Sequence, residues 1–303
     1  MNHFLNLIDQ PAERLRQLLA RAAELKADRT AGKPSAALAG KVVGLVFEKP
    51  SLRTRLSFEA GVAQLGGTSL FLPGNEIGLG WREPLPDFAR VTSRYLDCLV
   101  MRVFRQETVD AMAKHGSVPV INGLSDRSHP CQAMADLLTI QEAFGGIAGK
   151  TVAFIGDGNN VAMSLAVGCG KLGAHFVLGC PKGYAFDDAF LKGYAAKVGE
   201  LLPVVTHDPA AAVRNADVVY TDVWTSMGQE AERDERLNKF APFQVNEALL
   251  AKAPAHAKVL HCLPAHRGEE ITAGVADGPA SVIFDQAENR LHAQKAVLEW
   301  LLG

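Results

Sequence analysis

Two arginines and two hydroxyls fall within the five residues Ser51-Leu52-Arg53-Thr54-Arg55. Guanidinium and hydroxyl groups in such density suit a phosphate, to which they give charge-assisted hydrogen bonds. Pro50 stops the strand before them, and Ser51 is placed to cap the helix that continues through Phe58. The free N–H groups of that helix start add partial positive charge. Helix starts favour acidic residues, so two arginines there are electrostatically out of place unless an anion binds; a capped helix with solvated arginines is the alternative. Further on, His129-Pro130-Cys131-Gln132 opens a second helix, with Pro130 suited to its first turn. His129 and Gln132 then lie side by side and can donate to a carbonyl oxygen without bringing full charge. Surface polar residues at a helix entry are the alternative. Cys131 has no identifiable base and reads as a small buried residue, not a nucleophile.

A second set of chemistry-bearing residues lies in the C-terminal half. The turn Gly156-Asp157-Gly158-Asn159-Asn160 links a strand to a helix. It lacks the third glycine of a dinucleotide fingerprint, and no acid ends the following strand, so a nicotinamide or flavin dinucleotide is not expected. Its asparagines can hold a carboxylate or an amino group, or simply occupy a tight turn. Asp222 leaves the carboxyl end of a strand, where an acid can pair with a substrate ammonium. Ser226 and the backbone around Met227 and Gly228 would complete such a pocket. The polar stretch that follows to Asn238 reads as a lid or as a solvated connector. His261-Cys262-Leu263-Pro264 ends another strand, where carbonyls and a thiol can face a reacting centre; a buried cysteine and a structural proline are the alternative.

The elements that must position these groups alternate along the chain. Short β-branched runs at 42–47, 69–72, 98–103 and 118–122 form one series, and 152–155, 176–179, 204–207, 218–222, 259–263 and 282–285 a second. Helical spacing separates them, as at Ala133, Leu137 and Ile140. Strand–helix alternation implies parallel sheets with helices on both faces, binding ligands beyond the strands' carboxyl ends. The expected class is therefore α/β, with two doubly wound domains. The series breaks at Phe144-Gly145-Gly146, giving expected domains of 1–147 and 148–286, with 287–303 a terminal helix.

The bulk properties exclude several classes. The chain has 303 residues and a formal net charge of −2, so no global field draws it to nucleic acid. No apolar run reaches the ~18 residues of a membrane span, and the N-terminus has no secretory pattern. Five cysteines, an odd number without CxxC spacing, argue against a disulfide framework or a zinc cage and favour a reducing compartment, hence the cytoplasm.

Taken in order, FEKPSLRTR, MRVF, HPCQ, GDGNN, DVWTSMGQE, HCLPAHRGEE and FDQAENR resemble the aspartate/ornithine carbamoyltransferase family over nearly the whole chain. The SMG signature resembles its ornithine-using branch. The resemblance implies transfer of the carbamoyl group of carbamoyl phosphate to the δ-amine of L-ornithine, giving L-citrulline and phosphate, as in arginine biosynthesis. An acylated ornithine, putrescine or aspartate is the alternative acceptor. It implies no metal and no organic cofactor, a homotrimer or a multiple of trimers, and a terminal helix packed back on the first domain. Carried over by motif, carbamoyl phosphate would be bound by Ser51, Leu52, Arg53, Thr54, Gly78, Arg102, His129, Pro130, Cys131, Gln132, Cys262, Leu263 and Arg290. Ornithine would be held by Asn160, Asp222, Ser226 and Met227. Arg53, Arg102, His129, Asp222 and Cys262 would be the catalytic set, with Arg82 reaching a neighbouring subunit. Two departures stand out: Leu52 replaces the usual threonine of the phosphate motif, and the loop Gly78-Leu79-Gly80-Trp81-Arg82 differs from the family's. Trp81 resembles a feature of relatives that use acylated ornithine.

Overall fold

A computed structural model describes residues 1–225 and 230–303. They form two compact units: Met1–Leu138 with Glu288–Gly303, and Thr139–Ala287. In the first, strands β1 (Val42–Phe47), β2 (Thr68–Pro73), β3 (Cys98–Arg102) and β4 (Val120–Leu124) make a parallel sheet in the order β2-β1-β3-β4. In the second, β5 (Thr151–Ile155), β6 (His175–Gly179), β7 (Val204–Thr206), β8 (Val218–Thr221) and β9 (Lys258–His261) are parallel in the order β7-β6-β5-β8-β9. The central strands are nearly continuous runs of buried side chains, as parallel strands covered on both faces must be.

Each sheet starts on an inner strand, winds one way, then returns to the other side of that strand. The order therefore reverses between β1 and β3 in the first unit and between β5 and β8 in the second. At such a point the two connections leave in opposite directions and open a crevice beyond the strands' carboxyl ends. Arg102, the last residue of β3, pairs in register with Phe47, the last of β1. Thr221, the last of β8, pairs with Ile155, the last of β5, and its hydroxyl donates to the Ile155 carbonyl at 2.7 Å.

One expected strand is not formed. Residues 280–282 run beside β9, where Val259 N donates to the Ala280 carbonyl and Val282 N to the Val259 carbonyl, but the pairing ends at a single bridge. The chain turns instead into the helix Ile283–Leu302, with Asp285 in its first turn, where a carboxylate complements the helix dipole. The apolar pair at 282–283 and the exposed Phe284 imitate a strand's composition without its pairing. This helix packs on the N-terminal segment. Arg21 Nε bonds Glu299 Oε2 at 2.7 Å, Lys26 Nζ bonds Asn289 Oδ1 at 2.8 Å, and Trp300 meets Phe4 edge to face. The helix thereby brings Arg290 to the first unit.

Candidate active site

Ser51 caps the helix Leu52–Gln64 as its sequence predicts, its Oγ accepting from Thr54 N at 3.3 Å. The Thr54 side chain is buried in the same first turn. It meets two guanidinium groups there: Arg102 Nη1 at 3.4 Å and Arg290 Nη2 at 3.2 Å. Arg290 also donates from Nη1 to Gln132 Oε1 at 2.6 Å. Thr54, Arg102, Gln132 and Arg290 thus form one buried cluster built from β1's connection, β3's end, and two helices distant in sequence. Two cations on one hydroxyl repel each other, and an anion relieves that repulsion. Arg53 is half-buried at the same helix start. Arg55 is committed elsewhere: it pairs with Glu59 at 2.9 Å and stacks 3.8 Å over the Phe71 ring. The motif's second arginine therefore serves the helix surface. Leu52, the substitution in the motif, is 68% exposed, so its side chain has left the cluster and only its main chain remains at the helix start.

His129 is buried beside this cluster, at the entry of the helix Pro130–Phe144. The loop leading to it is tied down by the fully buried Asn122, whose Nδ2 donates to the Leu5 carbonyl at 2.9 Å and to Ser125 Oγ at 3.2 Å. Burial first, then Arg290 and Arg102, hold the His129 pKa well below the usual 6.5. The ring is therefore neutral and can meet a carbonyl oxygen as a dipole. Cys131 is buried with its thiol pushed up to about 12 by burial, which rules against thiolate chemistry there.

The same shift fixes a pH response. Above about pH 6.5 the ring is neutral in both the folded and the unfolded chain. Below it the unfolded chain takes up a proton first, so stability present at neutral pH is lost as the pH falls towards the lowered native value. Buried His292, also lowered mainly by burial, acts in the same sense. Thermal melts should show Tm falling below about pH 6.5, and His129→Gln should flatten that fall. Superimposable acid limbs for the two proteins would refute this assignment.

Gly78 ends the short helix Gly74–Ile77 at φ 66°. A Cβ there would lie 2.6 Å from the Arg82 Cβ, so only glycine fits this turn. It presents Trp81 and Arg82, both exposed, on the loop that departs from the family pattern.

In the second unit, Asn159 caps the helix Asn160–Lys171, its Oδ1 accepting from Val161 N and Ala162 N at 3.0 Å. Its Nδ2 donates to Asp222 Oδ2 at 3.0 Å. The turn closes only because Gly158 has no side chain: a Cβ would sit 2.9 Å from the Ala185 carbonyl carbon. Asp222 Oδ1 accepts from Val223 N at 2.8 Å and from the Cys262 thiol at 2.9 Å. Asp222, Cys262 and Asn159 are thus brought together at the reversal between β5 and β8. Asn160, expected to hold ornithine, is the first residue of this helix, and the residue bonded to Asp222 is its neighbour Asn159. The one signal for it was its place as the polar residue before a helix. Ser226 and Met227 lie outside the described residues.

Two supports were not anticipated. Arg236 is buried, donates from Nε to the Trp224 carbonyl, pairs with Asp157, and lies 5.0 Å from the Tyr184 ring centre. It offsets the charge of Asp157, an acid that feels Asp222. His261 is also buried, its Nδ1 accepting from Leu263 N at 2.8 Å and its Nε2 meeting Glu270 Oε1 at 3.0 Å. This holds Leu263 at φ 56°, before a cis peptide to Pro264. A non-glycine residue at such a φ is costly and persists only where its surroundings impose it.

Two switch-point sheets, one carrying an arginine-rich anion cradle and the other an acid–thiol–amide cluster, suit a two-unit transferase with an anionic donor. Family models for the carbamoyl-P binding domain and the Asp/Orn binding domain of aspartate/ornithine carbamoyltransferase match residues 2–142 and 148–301. The chain belongs to this family. It is 51% identical over 302 residues to an ornithine carbamoyltransferase of Anoxybacillus flavithermus, covering 99% of this chain and 96% of that one. The solved ornithine carbamoyltransferase of Pyrococcus furiosus superposes with a TM-score of 0.95 at 49% identity, covering 100% and 97% of the two chains. A solved acetylornithine transcarbamylase with acetylcitrulline bound is 33% identical, with a TM-score of 0.90 and full coverage of both chains.

Proposed function

We propose that the chain transfers the carbamoyl group of carbamoyl phosphate to the δ-amine of L-ornithine, releasing L-citrulline and phosphate. The observation that carries this reading is the convergence of Arg102 and Arg290 on Thr54, a cationic cluster suited to a phosphate dianion. The main-chain N–H groups of Leu52 and Arg53 and the Ser51 hydroxyl complete the phosphate grip, and the Arg53 side chain reaches the same group. Asp222 takes the α-ammonium of ornithine, with Asn160 on the carboxylate. Ser226 and Met227 belong to this acceptor set.

The nucleophile must be a neutral amine. With an ordinary pKa of about 10.4, its deprotonation at pH 7 costs roughly 4–5 kcal/mol. A full carboxylate beside the reacting nitrogen would favour the ammonium, so Asp222 is assigned to the α-amino group. The Cys262 region and the Leu263 carbonyl orient the δ-nitrogen. As it attacks, charge grows on the former carbonyl oxygen, facing Arg53, Arg102 and neutral His129. Phosphate departs and takes the amine's proton. No protein nucleophile is needed. No described helix is long and apolar enough to cross a membrane. A cytoplasmic homotrimer, with Arg82 offered to the adjacent subunit, is the assembly this reading favours.

A colorimetric ureido assay with carbamoyl phosphate tests the proposal directly. Ornithine should give product, with N-acetylornithine, putrescine and aspartate far slower. Faster turnover of the acylated amine would instead support the reading raised by exposed Trp81. The high identity to proteins named for ornithine supports ornithine as the acceptor.

A further inference from the structure

We propose that Asp136 is a specificity-determining positioning residue: by fixing the Gln132 amide with its oxygen towards the cationic cluster, it makes the site read the carbamoyl –NH₂ and reject acyl phosphates that lack it. The inference rests on carbamoyl phosphate being the donor. Asp136 and Gln132 lie four residues apart on the helix Pro130–Phe144 and are fully buried. Gln132 Nε2 donates to Asp136 Oδ1 at 2.8 Å, while its Oε1 accepts from Arg290 Nη1 at 2.6 Å.

The amide has only one way to sit. One flank is a guanidinium, which can only donate; the other is the Asp136 carboxyl, whose Oδ1 accepts from the amide nitrogen. Turned over, the amide would set N–H against N–H on one side and oxygen against oxygen on the other. Its oxygen therefore faces Arg290, whose other Nη donates to Thr54. Arg290 uses one of the two lone pairs of Oε1, and the second remains for a donor. The carbamoyl nitrogen supplies such a donor. Acetyl phosphate, nearly the same in shape, offers a methyl group there. A site built to hydrogen-bond a substrate N–H discriminates strongly against the analogue without it, because the buried acceptor is left unmatched. Asp136 touches no substrate in this scheme and acts through Gln132 alone.

The test is calorimetric titration of the whole protein with carbamoyl phosphate, acetyl phosphate and inorganic phosphate. The unaltered protein should prefer carbamoyl over acetyl phosphate by about tenfold or more. Asp136→Asn, whose own amide can present either face, should remove most of that preference by weakening carbamoyl phosphate alone, with inorganic phosphate bound as before. In a Gln132→Ala background the same substitution should change nothing further. Asp136→Ala, which leaves room for water, is the second variant should the first fail to fold. Equal affinity of the unaltered protein for the two acyl phosphates overturns the proposal, as does uniform weakening of all three ligands in the variants. Failure of the unaltered protein to bind carbamoyl phosphate overturns instead the functional reading beneath it.

Discussion

Arg102→Met should lower kcat/KM for carbamoyl phosphate by about 10³, while Tm falls by no more than a few degrees. The activity loss follows from position. Arg102 ends β3 in register with the end of β1, so its guanidinium stands at the mouth of the first switch point, 3.4 Å from Thr54 Oγ1. A donor placed where charge develops in an acyl-transfer transition state is worth about 3–4 kcal/mol, and each 1.36 kcal/mol is a factor of ten in rate. Stability behaves differently because two like charges converge on one group. Arg102 and Arg290 share one hydroxyl, so removing one cation relieves repulsion while it forfeits a hydrogen bond. Methionine fills most of the volume of the buried stem, which limits the cavity cost. The two effects can be separated by linkage. Inorganic phosphate at 100 times its Kd should stabilise the unaltered protein by about 2.7 kcal/mol, and the variant much less. Near-normal turnover would remove Arg102 from the mechanism; a large drop in Tm with an unchanged phosphate response would make it a structural residue.

The parts of this architecture that could be read from the chain are those encoded locally. Alternating β-branched runs and helical spacing mark ten candidate strands, of which nine form among the described residues, because each element announces its own period. Ser51 as a cap and Pro130 in a first turn follow from short-range hydrogen bonding. Motif resemblance carried Arg102, Arg290 and Gln132, whose meeting no spacing reveals: 158 positions separate Gln132 from Arg290. What the residues alone did not show has the same root. Residues 282–285 have a strand's composition, but strand status is decided by a neighbour, and the one bridge to β9 falls just before them, at Ser281. Between two adjacent asparagines, the cap takes Asn159 and with it the bond to Asp222, a choice set by where helix Asn160–Lys171 begins. Arg55 belongs to the motif yet turns to Glu59 and Phe71, since one helical turn later it faces away from the cluster. The supports made by Asp136, Arg236 and His261 carry no pattern in the sequence. Their role exists only through buried partners.

Asp222→Asn should lower kcat/KM for ornithine by at least about 10², equivalent to roughly 3 kcal/mol, and leave carbamoyl phosphate affinity within twofold of the original. The substitution keeps shape and changes hydrogen-bond sense. Both Asp222 oxygens already accept from protein donors: Oδ2 from Asn159, and Oδ1 from Val223 N and the Cys262 thiol. Every neighbour in this set donates, so an amide nitrogen at either position faces a donor it cannot satisfy. The variant loses a negative charge for the α-ammonium and must also reorient Asn159 or Cys262. Asp157 cannot stand in for it, because Arg236 holds that acid and neutralises it. The phosphate cluster lies wholly in the first unit, which is why donor binding should be spared. Steady-state kinetics with ornithine varied, beside calorimetry with carbamoyl phosphate, separates the two effects. Retained ornithine kinetics would place the α-ammonium elsewhere. Parallel loss for both substrates would mean that Asp222 supports the fold of its unit and not the acceptor.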